Sequence, residues 1–114
     1  MNARIATIED SAEILRLAAL LFESMGVSGA WEEHWRAEGE RHVRDRLGND
    51  LAVFVVDDPA RAGGLAASAA GTIAQRLPTP ANTTGLAGYV QWVSTDPRYR
   101  RQGLARSVMK GLLD

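Results

Sequence analysis

Between Leu51 and Thr95 the chain strings together three runs that read as strands, and the breaks between them leave few ways to fold. LAVFVVD, residues 51 to 57, is short and β-branched, as a buried strand is. DPARAGG turns the chain into a second run, roughly Leu65 to Gln75. LPTPANTTG is a loop by its prolines and small polar residues, and LAGYVQWVST, residues 86 to 95, is a third run. Strands that follow one another through turns pair with their sequence neighbours, so this part is expected to be a meander.

Helical periodicity flanks the meander. Ala3 to Thr7 reads as a short strand. Thr7 and Asp10 then form a capping pair in which the threonine oxygen accepts an early helical N–H. Ile14, Leu17, Ala18, Leu21, Phe22 and Met25 recur at three- and four-residue steps, the mark of one buried helix face, and Gly26 supplies a left-handed stop. A second, charge-rich helix runs from about Trp31 to Leu47 and ends at Gly48, with Trp31, Trp35, Val43 and Leu47 as its apolar line. A last helix opens after Gly103. The expected order is β-α-α-β-β-β-α, a single α+β domain over residues 1–114 with helices flanking a mixed, mostly antiparallel sheet.

Charge and residue content exclude several classes. A net charge of −1 gives no global field toward nucleic acid or membrane. The absence of cysteine removes disulfides, thiolate nucleophiles and cysteine-bound metals, and is compatible with a cytoplasmic location. LRLAALLF follows Glu9, Asp10 and Glu13 and is broken by Arg16, which suits neither a signal peptide nor a bilayer span. His34, Glu38 and His42 share one helical stripe, but the two histidines lie about 12 Å apart along the axis, too far for one ion. That stripe is expected to be a solvated face, and no metal is expected.

The basic residues are nevertheless uneven. Arg98, Arg100, Arg101, Arg106 and Lys110 fall within the stretch TDPRYRRQGLARSVMKGLL, where an extended run gives way to a helical one. The first N–H groups of a helix have no internal partner, and with the helix dipole they favour an anion such as phosphate. Gly103 lets backbone approach a ligand closely, Ala105 stays small, and Arg100, Arg101 and Arg106 offer forked donors at the rim. The same residues also read as a tight turn relieved by glycine beside a solvated basic face. The arginines lack the interleaved aromatics of a single-strand groove, so no nucleic acid is expected.

Val93-Ser94-Thr95-Asp96-Pro97-Arg98-Tyr99-Arg100-Arg101-Gln102-Gly103-Leu104-Ala105 resembles the acetyl-CoA-binding segment of the GNAT superfamily of N-acetyltransferases. The family pattern Arg/Gln-x-x-Gly-x-Gly/Ala is matched by Arg100, Gly103 and Ala105. The opening ARIATIEDSAEILRL and the element order are also similar to the family's first half. The resemblance implies that backbone N–H groups from Arg101 through Gln102, Gly103, Leu104 and Ala105 to Arg106 hold the pyrophosphate of acetyl-CoA. It implies that Val93, Ser94 and Thr95 offer backbone groups to the pantetheine arm. An N–H near Val93 would polarise the thioester carbonyl while a primary amine attacks it.

The family's second half, with its further strand, helix and closing strands, is not matched, so the domain is expected to be incomplete at its C-terminal side. Neither Tyr89 nor Tyr99 stands where the family's proton donor would be, and no catalytic acid or base is assigned. Trp31 and Trp35 border the expected acceptor cleft, but core packing is the preferred reading for them. Two functions stay open. One is acetyl transfer from acetyl-CoA to a primary amine. The other is a non-catalytic acyl-CoA-binding or interaction module completed by a partner chain. An edge left open on the third meander strand leads to the expectation of a homodimer.

Overall fold

The computed structural model describes residues 1–114. Strand β1 is Ala3–Ile5, followed by a 3₁₀ turn at Ile8–Asp10 and helices α1, Ser11–Ser24, and α2, Glu33–Arg46. Strands β2, Leu51–Asp57, β3, Leu65–Gln75, and β4, Leu86–Thr95, lead through a second 3₁₀ turn at Pro97–Tyr99 to helix α3, Leu104–Leu113. The four strands lie in sequence order, and where a mixed sheet was expected every pairing is antiparallel. No helix is long and apolar enough to cross a membrane.

The sheet is covered on both faces, which explains why LAVFVVD does not alternate. Val53 and Val55 point to the side where Ile14, Leu15 and Leu17 of α1 and Val43 of α2 complete one core. Val56 and the half-buried Phe54 point the other way, to Leu104 and Val108 of α3. Burying a Leu, Ile or Val side chain fully is worth about 1.5–3 kcal/mol. Strand β3 contributes Ala66, Ala67, Ala69 and Ala70, side chains small enough to let helices close on both faces.

Glycines allow two of these approaches. A Cβ on Gly39 in α2 would fall 2.4 Å from Leu15 Cδ1, and one on Gly111 in α3 would fall 2.4 Å from Phe54 Cδ1. Helix-interior glycine is costly, so these two positions trade helix propensity for contact.

Several expectations are corrected. On α1 the buried set is Ile14, Leu15, Leu17, Ala18 and Ala19, whereas Leu21 and Phe22 are half-buried and Met25 is 64% exposed. Wedged between the sheet and α2, the helix buries two adjoining lines rather than one narrow stripe. Helix α2 begins at Glu33, not Trp31, because Gly26 and Gly29 both take left-handed conformations and the chain between the helices is a glycine-turned loop. Trp31, on that loop, is 41% exposed, so the core role expected for it is not met. Strand β1 stops at Ile5, although the Ala6 N–H still reaches the Val53 carbonyl at 2.8 Å. The expected Thr7–Asp10 capping pair is present: the Asp10 carboxylate accepts from the Thr7 N–H at 2.9 Å, and the Thr7 hydroxyl also donates to Glu9 at 2.8 Å.

Candidate functional site

The last third of the chain builds a strand, a tight turn and a helix whose backbone is unusual at three places. The first is in β4. Ser94 pairs with Ser68 and Gln91 pairs with Ala70, so Trp92 and Val93 together oppose Ala69 alone. This is a β-bulge, which kinks the strand and releases backbone groups from the ladder. Trp92 sits there at φ 56°, a conformation that costs an L-residue roughly 1–2 kcal/mol. Edge-to-face packing of its ring on Trp35, with centroids 6.4 Å apart, helps hold it, and Trp35 in turn meets Phe22 at 5.6 Å. Because β4 is at the sheet edge, its outer backbone groups have no ladder partner.

Beyond the bulge the strand is bolted down. Ser94 is buried and its hydroxyl donates to the Leu17 carbonyl of α1 at 2.8 Å. Val93 and Thr95 are half-buried, and the Asp96 N–H reaches the Ala66 carbonyl at 2.8 Å. Asp96 then caps the Pro97–Tyr99 turn by accepting the Arg98 N–H at 3.0 Å, with proline at the first turn position as expected of a turn start.

The second and third unusual places are Arg101, at φ 66°, and Gly103, at φ 76°, the residue that caps α3. A Cβ placed on Gly103 would meet no atom within 4 Å, so the concavity in front of it is open. None of the N–H groups from Arg101 through Gln102, Gly103, Leu104 and Ala105 to Arg106 donates to an acceptor in the chain; the first one used is Ser107, which reaches the Gly103 carbonyl at 3.1 Å. Leu104 is buried and pins the helix start to the core, while Arg100, Arg101, Gln102, Ala105 and Arg106 are exposed around the turn. Such an array of free donors at a helix start, ringed by guanidinium groups, suits an anion with several oxygens.

Arg98 does not belong to that rim. Its guanidinium turns inward to Asp58 and Asp96, each almost wholly buried. Burial resists ionisation of Asp96, but hydrogen bonds from the Arg98 side chain and N–H and from Arg16 hold its pKa down at about 2. The Tyr99 hydroxyl donates to Asp58, keeping that carboxyl below the usual range and pushing the phenol up. The basic cluster seen in the sequence is therefore split between structural and exposed members. Tyr89, the other tyrosine, lies on β4 opposite Thr72 of β3 and has Arg76 over its ring.

A cavity of about 250 Å³ opens between α2 and the sheet beside the bulge, lined in part by His42, Arg46, Thr72, Gln91 and Trp92. His34, Glu38 and His42 are exposed along α2. The bulge, the 3₁₀ turn and the inward-facing Arg98 were not foreseen from the sequence. Asp96-Pro97 carried a signal for the turn; nothing in Gln91-Trp92-Val93 signalled the bulge.

Comparison with known proteins agrees with this geometry. A family profile for the acetyltransferase (GNAT) domain matches residues 2–114. Among solved structures, a predicted acetyltransferase with acetyl-CoA from Clostridium acetobutylicum is similar at TM-score 0.83 and 23% identity, over 98% of this chain and 70% of that one. A GCN5-related N-acetyltransferase from Ralstonia eutropha is similar at TM-score 0.79 and 18% identity, over 96% and 71%. Glucosamine-6-phosphate N-acetyltransferase from Arabidopsis thaliana is similar at TM-score 0.69 and 22% identity, over 100% and 74%. A search of curated sequences finds no match. With the profile spanning the chain and the bulged strand, glycine turn and helix in place, the chain belongs to the GNAT acetyltransferase family.

Proposed function

We propose that this acetyltransferase domain binds acetyl-CoA at the Arg100–Arg106 turn and passes the acetyl group to a primary amine. The observation that carries the reading is the set of unpartnered N–H groups from Arg101 to Arg106 around an open Gly103. These groups hold the two phosphates, with Arg100, Arg101 and Arg106 at the rim. The pantetheine arm lies along the free edge of β4 at Val93, Ser94 and Thr95, as an added strand would. At the bulge a backbone N–H near Val93 donates to the thioester carbonyl oxygen. The neutral amine attacks the carbonyl carbon, the oxygen takes the charge, and the C–S bond breaks to leave the thiol of coenzyme A and the amide. One oriented donor of this kind lowers the barrier by about 3 kcal/mol, and the remainder of the effect is positioning.

One observation favours binding without turnover instead. The Tyr99 hydroxyl is committed to Asp58, and Tyr89 lies several residues before the bulge under Arg76, so neither serves the leaving thiolate. The test is calorimetry with acetyl-CoA, followed by thiol release with polyamines, arylamines, aminoglycosides and lysine peptides. Binding with amine-dependent release supports the transferase; binding with no release across the panel supports the module; no binding refutes the site.

A further inference from the structure

The donor turn has nothing inside it to hold its shape. Its N–H groups are free, two of its residues sit at positive φ, and its side chains are exposed. A conformation of that kind persists only when the surrounding structure dictates it. On the helix side Leu104 and Val108 supply this by packing into the core. On the strand side the restraint is polar and comes from far away in the chain.

Three carboxylates and three arginines interlock there. Glu13 of α1 accepts from Arg16 Nε at 2.7 Å, from Arg61 Nη2 at 2.6 Å and from the Leu65 N–H at 2.8 Å. Arg16 also donates to Asp96 Oδ2 at 2.9 Å and to the Leu65 carbonyl at 3.0 Å. Asp96 shares Arg98 with Asp58, and Asp58 receives the Tyr99 hydroxyl as well as the Ala60 N–H at 2.8 Å. The side chains of Asp58 and Asp96 are 0% and 5% exposed, so the two carboxylates are withdrawn from water, whereas the side chain of Arg98 that bridges them is 51% exposed. Two arms of the network reach the residues directly before the turn: Arg16 of α1 holds Asp96, and Asp58 holds Arg98 and Tyr99. A fold anchor would need only one such tie; here α1 and the β2–β3 connection both converge on one short segment.

We propose that Glu13, Arg16 and Asp58 are positioning residues for donor recognition: through Asp96, Arg98 and Tyr99 they hold the Arg100–Gly103 turn in the shape that fits a diphosphate. This rests on the acetyl-CoA reading above. Loosening the network leaves the diphosphate contacts in place but obliges the ligand to order them, which weakens binding without touching the reacting atoms.

The experiment compares acetyl-CoA with S-acetylpantetheine, which keeps the thioester and the arm and lacks the diphosphate. Tyr99→Phe deletes one hydroxyl and keeps the ring beside Arg98, 5.2 Å away; Glu13→Gln is the second variant, and thermal melts confirm folding of both. Expected is a Kd for acetyl-CoA about tenfold weaker, with affinity for S-acetylpantetheine unchanged within about twofold. Equal losses for both donors would mean a general structural role, and unchanged acetyl-CoA affinity in both folded variants would mean no role; either overturns the proposal. If the unmodified chain binds the two donors equally, the diphosphate site itself is wrong and the proposal falls with it.

Discussion

Gly103 offers a way to separate backbone shape from charge at the donor turn. Its φ of 76° favours glycine, and no atom stands within 4 Å of a Cβ built there, so substitution costs conformational energy without a clash. For alanine that cost is about 1 kcal/mol, and with an unfolding entropy of about 2.1 cal/mol/K per residue the Tm should drop by roughly 4 °C. Asparagine tolerates the left-handed region better and should lose less. Aspartate has nearly the same shape but carries a charge that would stand about 5 Å from a bound diphosphate. At effective dielectric constants between about 80 and 20 the repulsion is roughly 1–3 kcal/mol, about 5- to 150-fold in Kd. Calorimetry of Gly103→Asn and Gly103→Asp with acetyl-CoA at low and high salt measures that difference directly, and it should shrink as salt rises. Equal affinities for the two folded variants at low salt would refute the placement of the diphosphate in front of Gly103.

Two further outcomes follow from packing and charge. Gly111→Ala should lower the Tm even though alanine gains about 1 kcal/mol of helix propensity, since crowding Phe54 costs about 1–3 kcal/mol; Gly88→Ala, whose nearest neighbour atom would be 4.0 Å away, should not lower it. Asp96 is ionised in the fold with a pKa near 2, below the usual 3.9 or so of the unfolded chain. The stability it contributes is therefore complete above about pH 4 and lost as pH falls toward 2. In Asp96→Asn, melts across pH 2 to 5 should show a shallower acid dependence than the parent, and an unchanged slope would remove Asp96 from the account.

The fold was legible where local rules and tertiary demands agree. LAVFVVD, the Leu65–Gln75 run and LAGYVQWVST lie in the structure at the bounds read for them: LAVFVVD is β-branched, and glycine- and proline-bearing turns bound the alanine-rich second run and the third. The stop at Gly26 and the helix after Gly103 were readable for the same reason. Exposure was less legible. Whether Trp31 packs or stands in solvent depends on where α2 begins, and two left-handed glycines move that point by two residues. At the candidate site, the glycine turn and its arginines announced themselves through spacing. The role of Arg98 did not, since its partner Asp58 lies 40 residues earlier and only the β2–β3–β4 meander brings them together. The bulge was hidden most completely, because tryptophan carries no preference for positive φ.

That bulge also decides where this part of the chain can change length. The surplus residue of β4 is absorbed between Gln91 and Ser94, and on either side the strand is in step with β3. Losing one residue there would restore a plain ladder and spare both flanks, erasing only the kink. Losing one anywhere else in β4 would turn every side chain on one flank from core to solvent. When a relative of this chain is aligned to it, a gap over Trp92 or Val93 thus signals a straightened strand, while a gap drawn elsewhere in β4 signals a misplaced alignment.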